Sequence, residues 1–238
     1  MSLQEMIFLL VVLLANIVEA MTGFAGTLLA MPTSMILIGV DEAKTVLNAI
    51  SLICCTWITI KYHNKIQKKE FKKITFFMFI GLIVGIGLFD VLSVDYLMKI
   101  YALIIIAVAL KNIFLKRTFS MNRTFMICII VLAGIIHGMF LSGGSLLVIY
   151  AATVLKDKSE FRATIAPVWV VLDSFMFVNQ VRLGFVNNYT IMLILLSLIP
   201  LALAIIIGNK LHEKINQKTF LLMTYFLLLI SGVSLMMK

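Results

Sequence analysis

The chain carries little charge. Of its 238 residues, 13% are charged and 62% are hydrophobic, whereas soluble domains have about 25% charged and about 45–50% apolar residues. No globular fold can bury this much apolar surface, so a soluble protein is excluded. Since runs of about 20 apolar residues span a bilayer, the composition predicts an all-α integral membrane protein, multi-pass in the plasma membrane.

Signatures of several other protein classes are missing. The three cysteines, Cys54, Cys55 and Cys128, lie in apolar runs, where a thiol acts as a small hydrophobe, so no disulfide is expected. Three scattered histidines make no metal site, and no cofactor is expected. HExxH, GxSxG and P-loop motifs are absent, which argues against an enzyme. The N-terminus has no basic region and carries Glu5, so no cleaved signal peptide is expected.

The net charge of +9 comes from cations in short loops between apolar runs. Such cations are topology signals and contacts to anionic headgroups. No nucleic-acid partner is expected. The expected partners are the lipid bilayer and a small solute, and a homodimer is compatible with the sequence.

Eight apolar runs follow one another, and two of them are too long for one crossing. At 1.5 Å per residue each would reach about 50 Å, against a hydrocarbon core of about 30 Å. A glycine-rich stretch interrupts both, GFAGTLLAMP at 23–32 and LSGGSLLVIY at 141–150. The long runs are 5–39 and 124–155, and the others are 43–61, 74–90, 96–115, 163–181, 189–208 and 219–237.

The two long runs open two similar halves. At an offset of 118 residues the matched pairs are Gly26 with Gly144, Thr27 with Ser145, Glu19 with His137, Glu42 with Glu160, and Lys44 with Arg162. Three further apolar runs follow in each half. We therefore predict two four-segment membrane repeats, 1–119 and 120–238, each opening with a glycine-broken helix. Duplicated halves are the usual construction of secondary transporters.

The basic residues favour an inverted repeat. If each long run is a re-entrant hairpin, 16 basic residues face the cytoplasm and 4 face outside. If every run crosses once, the division is 12 to 8. Because cytoplasmic loops carry the excess of Lys and Arg, the hairpin arrangement fits better. A single kinked or unwound crossing stays open as the alternative.

The glycine breaks predict an anion site. Free N–H and C=O groups in lipid cost several kcal/mol unless they line a cavity or are buried in protein. The helix that starts after a break has unpaired N–H groups that favour anions. Small-residue packing without a ligand is the alternative. The residues predicted to bind substrate near the midplane are Gly23, Gly26, Thr27, Asn48, Ser142, Gly143, Gly144, Ser145, Arg162 and Thr164.

Three ionisable residues lie within apolar runs, where charge is costly and marks function by default. Glu19 and His137 either pair with each other or carry a coupling proton, and a structural role is the alternative. Asp173 is a candidate proton or cation site. Arg162 either attracts an anion or is neutralised by its neighbour Glu160, and the local ion pair is favoured.

The quoted motifs resemble those of the TauE/SafE family, the sulfite exporter-like membrane permeases. The resemblance rests on GFAGTLLAMP…GVDEAKTVLNAISL and GMFLSGGSLLVIY…EFRATIAPVWVVLD and covers nearly the whole chain. Family motifs often carry denser glycines where Ala25 and Thr27 stand here. Asn48-Ala49 replaces a common Thr-Ser, and Ile165 replaces a common Ser.

The resemblance implies a secondary transporter of sulfite, organosulfonates or related small oxyanions, with export expected. The helix-start argument independently favours an anion. An anion channel and a non-transporting membrane subunit are the alternatives. A transporter of carboxylates is a weaker one. A transporter of cations is disfavoured because carboxylates and histidines are sparse in the apolar runs.

Overall fold

The computed structural model describes residues 2–91, 122–155 and 157–236, with scattered positions between 99 and 113. Every regular element in this part of the chain is a helix, so the prediction of an all-α protein is confirmed there. Most of the predicted apolar run 96–115 lies outside the described residues.

Five helices are long and apolar enough to cross a membrane within the described part of the chain. They are Leu3–Thr22, Val40–Lys61, Lys68–Leu88, Lys158–Arg182 and Asn188–Lys214. In chain order the helices are α1 (Leu3–Thr22), α2 (Gly26–Ile38), α3 (Val40–Lys61), α4 (Lys68–Val91), α5 (Arg123–Phe140), α6 (Gly144–Val154), α7 (Lys158–Arg182), α8 (Asn188–Lys214) and α9 (Gln217–Met236). A short 3₁₀ turn, His63–Lys65, joins α3 to α4.

Two helices stand in place of each over-long apolar run. In the first run α1 ends at Thr22 and α2 begins at Gly26. In the second, α5 ends at Phe140 and α6 begins at Gly144. Both boundaries repeat at the offset of 118 residues found in the sequence. Re-entry into the membrane and inversion of the halves stay predictions.

The helices before the two breaks end in the same cap geometry. Gly23 has φ 88° and its N–H donates to the carbonyl of Glu19 at 2.6 Å. Leu141, its mate at the same offset, has φ 54° and donates to the carbonyl of His137 at 2.8 Å. A left-handed conformation costs a non-glycine residue about 1–2 kcal/mol, so the packing around Leu141 must hold it there.

The described chain forms two compact units. The first contains Met1–Phe71 and Ser159–Ile215, and the second contains Lys72–Lys158 and Asn216–Lys238. Each unit takes helices from both halves of the sequence. These units are therefore a different division from the two sequence repeats, 1–119 and 120–238, which stay a prediction.

In the first unit, α1 packs against α8, α2 and α3. Gly208 permits a close approach between α8 and α1. A Cβ added at Gly208 of α8 would lie 2.6 Å from the carbonyl oxygen of Ile17 and 2.7 Å from Cβ of Ala20. Small residues of this kind let membrane helices pack backbone to backbone.

In the second unit, α5 packs against α6 and lies directly against α4. A Cβ added at Gly81 would meet the carbonyl oxygen of Val131, and one at Gly134 would meet that of Met78. Gly85 and Gly138 approach the carbonyl groups of Ile135 and Leu82 in the same way. We call the contact formed by Gly81, Gly85, Gly134 and Gly138 the glycine seam.

Candidate functional site

The most unusual side chain in the first unit is Arg162, near the start of α7. It is 1% exposed. Its Nη2 donates to Oδ1 of Asn209 on α8 at 2.5 Å, and the guanidinium lies 4.8 Å from the ring centroid of Tyr62. Its Nε and Nη1 are buried and find no hydrogen-bond acceptor among the described residues.

The local ion pair favoured from the sequence is wrong for Arg162. Within the described chain no carboxylate pairs with it, and Glu160 instead accepts from the side chain of Gln67 at 3.0 Å. The physical reason is helical geometry, because residues two apart on a helix do not face each other. The guanidinium is thus a buried cation whose polar neighbours are the amide of Asn209 and the phenol of Tyr62.

Arg162 also supports the first glycine break. A Cβ added at Gly23 would lie 3.2 Å from Cγ and 3.2 Å from the carbonyl oxygen of Arg162. The indole N–H of Trp169, two turns further along α7, donates to the carbonyl of Gly23 at 2.9 Å. Both backbone polar groups of Gly23 are therefore paired, which lets the break persist in an apolar surrounding.

The carboxyl group of Glu19 lies at the start of α2. A Cβ added at Gly26 would overlap Oε2 of Glu19 and lie 2.7 Å from its Cβ. The backbone N–H of Thr27 interacts with the same carboxyl. The N-cap residue Ala25 supplies no side-chain hydrogen bond. Glu19 therefore takes the place at this helix start that the sequence assigned to a solute anion.

Glu19 and Asp173 share one hydroxyl. Oγ of Ser51 on α3 lies 2.7 Å from Oε1 of Glu19 and 3.2 Å from Oδ2 of Asp173. The thiol of Cys55 lies 3.5 Å from the same Oε1. Both acids are 2% exposed. A hydroxyl has one hydrogen to donate, so Ser51 can donate to only one of these two carboxyl groups at a time.

The other residues predicted in this unit have structural partners. Nδ2 of Asn48 donates to the carbonyl of Asp173 at 3.2 Å and to Oε1 of Gln180 at 2.9 Å. Asn48 therefore belongs, with Glu19, Ser51, Cys55 and Asp173, to one group of buried side chains that we call the carboxyl cluster. Thr164 is elsewhere, since its Oγ1 accepts the backbone N–H of Gln67 at 3.0 Å.

The second unit brings together the residues predicted around the second break. Oγ of Ser142 donates to the carbonyl of Phe140 at 2.9 Å, and Oγ of Ser145 lies 3.3 Å from the carbonyl oxygen of Ser142. A Cβ added at Gly143 would lie 2.8 Å from Cβ of the buried His137. The hydroxyls thus hold the turn that ends at Gly144, the first residue of α6.

Two features of the first unit were not predicted. Asn209, which binds Arg162, directly follows the apolar run 189–208. Inspection of the sequence for amide side chains at the ends of apolar runs, as well as for charged ones, would have identified it. Trp169 lies among apolar residues of α7, and no pattern in the sequence marks it as a donor. A pairing of Glu19 with His137, and one anion held by both breaks, stay predictions.

Apolar helices of spanning length with buried charged groups inside them define a multi-pass membrane protein. A model of the family described as Sulfite exporter TauE/SafE matches residues 8–235. The chain belongs to this family, which confirms the resemblance in the sequence, and it is a transmembrane transporter of the permease type. In the comparisons with curated proteins and with solved structures, nothing matches the chain.

Proposed function

We propose that this permease is a secondary transporter that exports small sulfur-containing oxyanions, such as sulfite or organosulfonates, across the plasma membrane. The observation that carries the proposal is the buried guanidinium of Arg162. It has an amide and an aromatic ring as neighbours, and its Nε and Nη1 have no acceptor among the described residues.

A buried charge without a counter-charge is destabilising, because its desolvation costs several kcal/mol. An anionic substrate supplies that counter-charge when it binds. The planar guanidinium offers parallel N–H donors that match two oxygens of a sulfite or sulfonate group. A carboxylate fits the same fork, so the sulfur preference rests on the family alone.

The first backbone amides of α2 are a second place where the substrate anion is proposed to bind. Because the carboxyl of Glu19 lies there, an anion reaches these amides only after that carboxyl loses its charge or moves. We propose that Glu19 and Asp173, bridged by Ser51, hold the coupling proton. The sequence repeat predicts an anion-binding role for the matching start of α6 too, where Ser142, Gly143, Gly144 and Ser145 lie.

Export has an energetic basis. Moving one negative charge out of a cell with a potential of −100 mV gains about 2.3 kcal/mol. Export therefore needs no ion gradient, whereas import of the same anion needs coupling. The proposed proton pair makes the direction sensitive to the pH gradient as well.

Counterflow of labelled sulfite in proteoliposomes tests the proposal. We expect saturable counterflow for the wild type and a loss of at least about tenfold for Arg162→Gln, since a charged hydrogen bond contributes about 1.5–3 kcal/mol. Arg182→Gln, an exposed arginine at the end of the same helix, is the matched control.

Two outcomes would contradict the proposal. Flux that does not saturate with sulfite indicates a channel. Wild-type counterflow by Arg162→Gln removes this residue from the substrate site. Thermal unfolding of the variant in detergent separates a structural role, because removing an uncompensated buried charge is expected to leave the melting temperature unchanged or raised.

A further inference from the structure

A cavity lies in the first unit between α3 and α8, apart from the carboxyl cluster. Its volume is about 500 Å³. Its walls include Trp57 of α3 and Ile205 and Ile206 of α8, and its charged lining residues are Lys61, Lys210 and Glu213. We call this cavity the α3–α8 groove.

The walls of the groove belong to a lipid-facing surface. Ile206 is 55% exposed, and Ile199 and Leu203 on the same helix are 70% and 50% exposed. Such large apolar side chains are exposed in a membrane protein where they meet acyl chains. A small oxyanion needs only a few water volumes, each about 30 Å³, and gains nothing from isoleucine walls.

The charged residues of the groove are at helix ends. Lys61 is the last residue of α3, and Lys210 and Glu213 lie in the last turns of α8. The ammonium of Lys61 lies 4.7 Å from the ring centroid of Trp57. The groove thus combines an apolar body, an interfacial tryptophan and a net charge of one positive unit. The loops after these ends are the ones whose basic residues predict a cytoplasmic location.

We propose that the α3–α8 groove binds an anionic phospholipid. Its phosphate is held by Lys61 and Lys210, a headgroup hydroxyl is accepted by Glu213, and an acyl chain lies along Ile205 and Ile206. Anionic lipids are enriched in the cytoplasmic leaflet, and each lysine near the surface attracts them by about 1 kcal/mol. Asn209 also lines the groove, so the bound lipid lies next to the partner of Arg162.

Native mass spectrometry of the purified protein tests the proposal, with phosphatidylglycerol and phosphatidylcholine offered in equal amounts. We expect phosphatidylglycerol to bind about tenfold more tightly to the wild type, and Lys61→Gln/Lys210→Gln to lose this preference. Lys68→Gln/Lys69→Gln removes the same charge from exposed residues of α4 outside the groove and should keep it.

A second variant fills the groove and leaves its charged residues unchanged. Ile206→Trp fills the groove from an exposed position, so we expect it to fold and to bind less phosphatidylglycerol. Equal binding of the two lipids, or a preference that survives in Lys61→Gln/Lys210→Gln, would overturn the proposal. Competition by millimolar phosphate would also overturn it, since the groove would then take a free oxyanion. No transport is measured, so the result is independent of the proposed transport function.

Discussion

Gly26 leaves open the space that the carboxyl group of Glu19 occupies. The two residues lie on opposite sides of the first break, one near the end of α1 and one at the start of α2. Any side chain at position 26 would overlap the carboxyl. The break therefore brings an acid to a helix start, and the charge of that acid decides whether another anion can bind there.

Glu19→Gln tests this relationship. Protonation of Glu19 removes its charge, so we expect wild-type transport to rise as the pH falls. The amide is neutral at every pH, so the variant should transport at the wild type's low-pH level throughout. Counterflow of a labelled sulfonate is the measurement, because a sulfonate keeps its charge over this range. The titratable groups near Glu19 are Asp173 of α7, Cys54 and Cys55 of α3, Arg162 beyond Gly23, and His212 of α8, which contacts the carbonyl of Met21.

The control for this prediction is Glu5→Gln on the same helix. Glu5 is the third helical residue of a capping box with Ser2, and glutamine preserves that motif. Its pH profile should match the wild type. A Glu19→Gln variant whose profile also follows the wild type would remove Glu19 from proton coupling.

Asn209→Asp tests the counter-charge of Arg162. The substitution keeps the shape of the side chain but places a carboxylate 2.5 Å from Nη2. This internal anion satisfies the guanidinium and competes with the substrate. We expect the KM for sulfite to rise at least about tenfold. The exposed Asn188→Asp at the start of α8 is the matched control. A KM unchanged in both variants would show that the guanidinium does not bind substrate.

Gly134→Ala tests the glycine seam. The new methyl group meets the backbone of Met78, which cannot rotate away, and overpacking costs about 1–3 kcal/mol. We expect a lower melting temperature in detergent. Gly87→Ala on α4 has nothing within 4 Å of the new methyl group and should unfold like the wild type. Equal melting temperatures in the two variants would contradict the close approach of α4 and α5.

Trp169→Phe tests the support of the first break. The substitution keeps an aromatic ring but removes the donor to the carbonyl of Gly23. A buried acceptor that loses its donor costs about 1–3 kcal/mol, so we expect a lower melting temperature. Trp57→Phe on α3 is the matched control.

The sequence predicted what depends on local pattern. The length of the runs 5–39 and 124–155 required a break in each, and helices end and begin within a few residues of the glycines. It could not predict contacts that depend on packing between distant segments. Ser51 is 32 residues from Glu19 and Asn209 is 47 residues from Arg162. The predicted ion pair between Arg162 and Glu160 was wrong for this reason, because that prediction rested on distance along the sequence and not on distance in the fold.

The glycine seam has a mechanical consequence. Where the backbones of α4 and α5 touch, no layer of flexible side chains lies between them to absorb sliding or tilting. The two helices are interlocked and should move as one rigid body. Whatever rearrangement opens this permease to either side of the membrane must hinge outside that pair.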